Sequence, residues 1–237
     1  DKQGLLWVWA KPEVDDTEKV LNRYLVVVDI GGRSNKADYS VIVVIDRLNM
    51  IDGLYPTVVA QWYGHTDMDL LAWKAVQVAA YYDNALLVIE KNTLDTKDPA
   101  RLLDGDSSTY ILSLVKDVYE NLYARKQSAD EVREGIPKVY GFHTNVKTKP
   151  DIINNLQNVI RDKLYVERDS RCLDEYLTYE KKPNGKWEAI EGKHDDLLMT
   201  RAIGLWVCFF DMDYPKIVDL SQKRQSFTKV LASESDF

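Results

Sequence analysis

Cysteine is nearly absent. The 237 residues hold two, Cys172 and Cys208, in no CxxC pair; this argues against a zinc centre and a disulfide framework and fits a reducing compartment. His65 and His143 carry no metal-ligand spacing and read as structural or surface residues. No stretch approaches the ~18 apolar residues of a membrane span. No GxxxxGK[ST] loop occurs, so ATP hydrolysis by that route is excluded. Repeats and low-complexity tracts are absent too. Basic excess is also lacking: 31 Lys and Arg stand against 38 Asp and Glu, a net charge of −7. A protein that held DNA by broad backbone neutralisation would carry surplus cations. Duplex binding is therefore expected to be weak, with a shallow salt dependence. The first residues, Asp1-Lys2-Gln3-Gly4, resemble no signal peptide and include no initiator Met, so the chain reads as an excised domain of a longer protein.

What is present suits one α/β domain. Hydrophobic residues make up 45% and charged residues 29%, the ordinary balance of a globular fold, and the length suffices for one well-buried core. Residues 24–30 (YLVVVDI), 40–46 (SVIVVID) and 57–63 (TVVAQWY) are β-branched runs separated by turn residues and predict three strands. Asp67 opens a stretch in which Leu70, Leu71, Trp73, Val76, Ala79 and Ala80 recur at helical spacing. Residues 85–90 (ALLVIE) predict a fourth, buried strand. A helix is expected over 107–125, a fifth strand over 138–142 and a third helix over 150–163. Asn184-Gly185 between 176–181 and 186–190 signals a hairpin, and a last helix spans about 194–210. The tail from Ser221 is polar and aperiodic, so a domain over 1–220 with a flexible tail over 221–237 is expected. Strands first, then strands alternating with helices, predict a mixed sheet flanked by helices with an added hairpin.

The acids fall at informative places. Asp29 ends the first strand, Glu90 ends the fourth, and Asp195 and Asp196 open the last helix. A carboxylate in a Val/Ile strand is costly to bury unless paired or bound to a cation, and neither strand offers an Arg or Lys in register. Hard oxygen donors select Mg²⁺ or Mn²⁺. Each acid also has a plainer role, as a turn residue, an exposed strand end or an N-cap. Their coincidence at one sheet edge favours a site without deciding it. At 100° per residue, Asp195 falls on the stripe of Leu198, Ala202, Leu205, Trp206 and Phe209, so Asp195 is expected to face the sheet more directly than Asp196. His194 is a candidate base or phosphate contact and equally a cap. The tryptophans read as core or core-margin residues.

Three segments resemble the acidic motifs of the nuclease domain of tailed-phage terminase large subunits, members of the ribonuclease-H-like superfamily. They are DIGGRSNKADYS over 29–40, LVIEKN over 87–92 and GKHDDLLM over 192–199. Two flanking segments, GLLWVWAKP over 4–12 and TKPDIINNL over 148–156, are similar as well and stand in the same order. The stretch 93–105 departs from the pattern as an insertion. The resemblance implies a ribonuclease-H-like fold and a metal-dependent DNA endonuclease that cuts concatemeric phage DNA during packaging. It implies two-metal hydrolysis with Mg²⁺ or Mn²⁺, the ions about 3.5–4 Å apart. Asp29 would bridge them, with Glu90 on one and Asp195 and Asp196 on the other. Asp38 matches a second acid of the first motif and is a lesser ligand candidate. Lys147 and Lys149 match a basic segment, and with Lys181, Lys182 and Lys186 of the hairpin they are candidate DNA contacts. Implied partners are double-stranded DNA, an ATPase domain of the same full-length chain, the portal and the small terminase subunit, in the cytoplasm of an infected bacterium. Other readings are a different ribonuclease-H-like enzyme, such as a Holliday-junction resolvase or a transposase, and a non-catalytic portal-docking module.

Overall fold

The structure, a computed structural model, describes residues 4–13, 15, 17–31, 38–92 and 107–220. The 93–105 insertion, residues 32–37 of the first motif and the 221–237 tail lie outside the described residues. Six strands form the central sheet in the order β1-β5-β4-β3-β6-β7. They are β1 (Gly4–Val8), β3 (Tyr24–Asp29), β4 (Ser40–Asp46), β5 (Thr57–Gly64), β6 (Leu86–Asn92) and β7 (Phe142–Thr144). The β1, β5, β4 and β3 neighbours pair antiparallel, whereas β6 runs parallel to β3 and β7 parallel to β6. The expected mixed sheet is therefore present.

The strands β3, β4 and β6 read as continuous apolar runs because both faces of the sheet are covered. On one face, α1 (Met68–Tyr81) and α2 (Ser107–Val115) pack through Leu71, Ala75, Ile111 and Val115 onto Val26, Val28, Ile42 and Leu87. On the other, α4 (Thr148–Arg161) and α6 (Asp196–Trp206) pack through Ile153, Leu156, Leu198 and Ala202 onto Leu25, Val27, Val43 and Val88. A short α3 (Ala129–Arg133) carries a capping box between Ser128 and Glu131, and α5 (Ser170–Leu177) precedes the hairpin β8 (Tyr179–Lys181) and β9 (Trp187–Ala189). A separate ribbon joins β2 (Glu18–Leu21) to β10 (Lys216–Asp219). Among the described residues no helix is long and apolar enough to cross a membrane.

Several expectations are corrected. The helix expected over 107–125 stops at Val115, and the chain beyond it forms isolated bridges from Leu122 to Leu87 and from Ala124 to Tyr140. The fifth strand begins at Phe142 rather than at 138, because Gly141 sits at φ 87°, outside the β region. Tyr176 and Leu177, expected in the hairpin arm, end α5 instead. The last α-helix closes at Trp206 and continues as a π-helical turn, Val207–Asp211.

α6 lies close against the sheet because residue 204 is glycine. A Cβ there would stand 2.7 Å from Ile45 Cδ1 and 3.1 Å from Val27 Cγ2. Two buried arginines fix the same helix. Arg201, fully buried, meets the Glu167 carboxylate through Nε at 2.9 Å and Nη2 at 3.0 Å. Arg47, also fully buried, donates from Nη2 to the Cys208 carbonyl at 2.9 Å, in the π-helical turn. A guanidinium suits both places because its fork satisfies several acceptors in fixed geometry.

Candidate active site

Strand alternation places the acids. Leu25 and Val27 face α6 in β3, as Val88 does in β6, and side chains two apart share a face. Asp29 and Glu90 therefore lie on the α6 side. Asp29 is at the C-terminal end of β3 and Glu90 two residues before that of β6, which runs on to Asn92 rather than ending at Glu90 as expected. The parallel register brings them together: Val28 pairs with Ile89, and the acids follow one residue later. Glu90 is the carboxylate whose charge acts most strongly on Asp29. Glu90 is buried at 5% exposure. The N-terminus of α6 comes down on the same edge, where unsatisfied N–H groups and the helix dipole favour negative charge.

Asp196 is the first residue of α6 and is buried at 5% exposure. Its Oδ2 accepts the Tyr39 backbone N–H at 3.1 Å, tying the helix start to the chain entering β4. Gly31 is required on the opposite side of that crossing, since a Cβ would fall 2.2 Å from the Asp38 carbonyl oxygen and 2.3 Å from the Tyr39 carbonyl carbon. Asp195 occupies the N-cap position, with φ −131°. Its backbone is not helical, so the helical-wheel ranking does not apply to it. The expectation that Asp195 faces the sheet more directly is thereby reversed. The Asp195 side chain is 32% exposed and that of Asp196 only 7%, and Asp29 feels the charge of Asp196 more strongly than that of Asp195.

The electrostatics follow from crowding. Burial, then the charges of Glu90 and Asp196, push the Asp29 carboxyl well above the usual carboxylate range. Burial, then Asp38, raise Asp196 to about 7, against the opposing Tyr39 N–H. Asp195 is raised by burial, with Lys149 as the strongest opposing charge. Lys149, on the first turn of α4, places Nζ 3.9 Å from Asp195 Oδ2 and 5.7 Å from the centre of the Tyr179 ring. His194 Nδ1 lies 3.6 Å from Asp38 Oδ1 and 3.8 Å from Asp196 Oδ2. Asp38 is thus at the rim of the cluster, its side chain 57% exposed.

The other basic candidates stand apart from the acids. Lys147 is exposed at the N-cap of α4. In the hairpin, Lys182 pairs with Glu180 at 2.9 Å, and Lys181 and Lys186 are exposed. Two residues escaped the sequence reading. Tyr39 lies inside the first acidic motif but was not singled out; its ring stacks on Tyr63 at 4.3 Å and approaches His65 at 4.2 Å. Glu175 of α5 is buried at 9% exposure and accepts the Leu198 N–H at 2.7 Å. Burial, against the opposing Leu198 N–H and helped by the charges of Asp196 and Asp195, lifts its carboxyl to about 8.

The donor set fits a hard divalent cation. The acidic oxygens dominate the cluster, burial first and neighbouring carboxylates second raise Asp29 and Asp196, and a cation among them would offset both costs. The acids are gathered rather than converged: among the described residues no three acidic, histidine or cysteine side chains close on one point as a finished ligand shell.

No protein-family profile matches the chain, and no curated protein sequence does. Solved structures do match. A large terminase nuclease from thermophilic phage G20c with bound magnesium superposes with a TM-score of 0.52 at 16% identity, covering 84% of this chain and 91% of that one. The same nuclease with bound cobalt superposes at 0.51, again at 16% identity over 84% and 91% of the two chains. The six-stranded mixed sheet with helices on both faces is thus the ribonuclease-H-like fold of the large terminase nucleases.

Proposed function

We propose that this chain is a divalent-metal-dependent DNA endonuclease that cuts concatemeric phage DNA during genome packaging. The observation that carries the reading is the group of carboxylates in which buried Glu90 and Asp196 stand with half-buried Asp29 and Asp195, on two strands beside a helix N-terminus. Asp29, with Glu90 and Asp196 beside it, would be shared between two Mg²⁺ or Mn²⁺ ions, which Glu90 and the pair Asp195 and Asp196 would also hold, with Asp38 at the rim. Such ions lower the pKa of an attacking water and neutralise the charge that develops on the leaving oxygen.

The chain's own groups do the rest. The carboxylates orient the cations and exclude other anions until these are bound. Lys149, held between Asp195 and the Tyr179 ring, would offer a positive charge to a scissile phosphate beside the acids. Lys147, Lys182 and Lys186 track the backbone farther out. With a net charge of −7, these few cations provide weak, sequence-blind attraction, so DNA would be delivered by the ATPase domain of the full-length chain, working with the portal and the small subunit in the infected cell. That dependence restrains an otherwise unspecific nuclease.

Plasmid nicking in Mn²⁺, Mg²⁺ and EDTA tests the proposal. Wild-type chain is expected to cleave in Mn²⁺ and not in EDTA. Asp29→Asn, nearly isosteric, is expected to keep its circular dichroism spectrum and lose cleavage. Undiminished cleavage in that variant overturns the mechanism, and a preference for branched over linear DNA shifts the reading to a resolvase.

A further inference from the structure

α6 begins without the cap that its own sequence offers. Asp195 is the N-cap by position: its backbone carbonyl accepts the Met199 N–H at 2.8 Å, the first bond of the helix. An Asp at that position usually turns its carboxylate onto the N–H of the second or third helical residue. Asp195 does not, since its side chain makes no capping hydrogen bond, and its Oδ2 stands 3.9 Å from Lys149 Nζ instead. The N–H of the third residue, Leu198, is taken by Glu175 Oε2 at 2.7 Å. Glu175 belongs to another helix, α5, and is buried at 9% exposure.

That arrangement is unusual for two reasons. A buried glutamate is costly unless its oxygens are satisfied, and here the partner of Oε2 is a backbone N–H rather than a cation. The cap position of α6 is filled by a residue type that ranks among the best caps, so a second acid would be redundant if Asp195 did that work. A carboxylate folded back over its own helix has its rotamer and an oxygen committed to that N–H. Released from it, the Asp195 carboxylate is left on the side of Lys149 and the acid cluster.

We propose that Glu175 is a positioning residue: it caps α6 from outside the helix and so frees the Asp195 carboxylate to act in the site. The significance of the freed carboxylate rests on the metal-site reading above; the capping itself does not. Asp195 and Glu175 divide two jobs that one aspartate usually combines.

Amide hydrogen exchange at Leu198 and Mn²⁺ affinity, both measured on the 237-residue chain, test this together. Glu175→Ala is expected to speed Leu198 exchange by about fivefold or more, the factor that accompanies loss of a cap, and to weaken Mn²⁺ binding about tenfold, as removal of an outer support does. Glu175→Gln retains a carbonyl acceptor and is expected to restore both. Asp195→Ala, which needs no intact Glu175 variant, is expected to leave Leu198 exchange and the melting temperature in EDTA undiminished. Faster Leu198 exchange in Asp195→Ala overturns the proposal, as does Glu175→Gln matching Glu175→Ala, which would make the charge rather than the acceptor the active feature. Leu198 protection that depends on Glu175 in a chain without Mn²⁺ affinity upholds the cap and sinks the metal-site reading. Mn²⁺ binding by Glu175→Ala indistinguishable from wild type upholds the metal-site reading and overturns the positioning role.

Discussion

Removing metal from a crowded acid cluster should make the fold sensitive to alkali, and the size of the effect can be worked out. Asp196 has an ordinary carboxyl value of 3.8 and stands at about 7 in the folded chain, with Asp29 shifted in the same direction. Between those values the native state binds protons that the unfolded chain has released. Stability is therefore fully present below the unfolded value and is lost as pH rises through the folded one. Each tenfold change in proton affinity is worth about 1.4 kcal/mol, so Asp196 alone withdraws about 4 kcal/mol once the pH passes its folded value. In a protein of this size 1 kcal/mol moves the melting temperature by about 2–4 °C. About two of those tenfold steps lie between pH 5 and the folded value, so the EDTA-treated chain is expected to melt roughly 5–10 °C lower at about pH 8 than at about pH 5. On the proposed metal-site reading, Mn²⁺ binds the native state and should recover much of that loss, by about 2.7 kcal/mol at a hundredfold excess over Kd. Asp29→Asn removes one of the repelling charges, so in EDTA it should flatten the profile and melt above wild type at the alkaline end. Scanning calorimetry across pH, with and without Mn²⁺, reads all of this. A flat profile in EDTA, or an Asp29→Asn variant that melts lower at alkaline pH, refutes the claim that these carboxylates repel one another.

Two further substitutions probe how α6 is held over the sheet. Gly204→Ala gains about 1 kcal/mol in helix propensity but drives a methyl to 2.7 Å from Ile45 Cδ1 in a core with no slack. A net loss of about 1–2 kcal/mol is expected by denaturant titration, and Ile45→Val in the same chain should recover part of it; a stabilised single variant would show that the helix can lift freely. Glu167→Ala leaves the fully buried Arg201 guanidinium without its carboxylate and is expected to cost about 3–5 kcal/mol, and a loss below about 1 kcal/mol would mean that Arg201 finds another acceptor or reaches water.

The parts of the fold legible in the sequence were those whose pattern is local. The apolar runs of β3, β4, β5 and β6, the helical spacing of α1 and the Asn184-Gly185 turn all announce themselves within a few residues. The three elements that carry Asp29, Glu90 and Asp196 were legible for the same reason, because an acid that interrupts an apolar run is a local signal. What escaped depends on distant partners. The strands β2 and β10 form one ribbon from opposite ends of the domain, and neither has a pattern of its own. α5 has eight residues and hides a glutamate on its inner face, so its composition reads as surface. Arg47 and Arg201 likewise look like solvent-facing charges until the carbonyls and the carboxylate that receive them are in place. The order of Asp195 and Asp196 was reversed by a single backbone angle at the helix start, where the 100° step does not yet hold.

The cluster is assembled from positions 29, 90 and 196, on two strands and a helix that are far apart along the chain. No hairpin or helix pair brings even three of these acids together, so the field that concentrates cations cannot exist in a fragment. On a ribosome the chain would show Asp29 and Glu90 side by side once β6 has docked, while α6 is still unmade. Closing the last of these long loops is the entropically slow step. On the proposed function, competence to cut DNA would therefore arrive late and abruptly, when α6 settles onto the sheet, and a truncated or proteolysed copy without this helix would lack it.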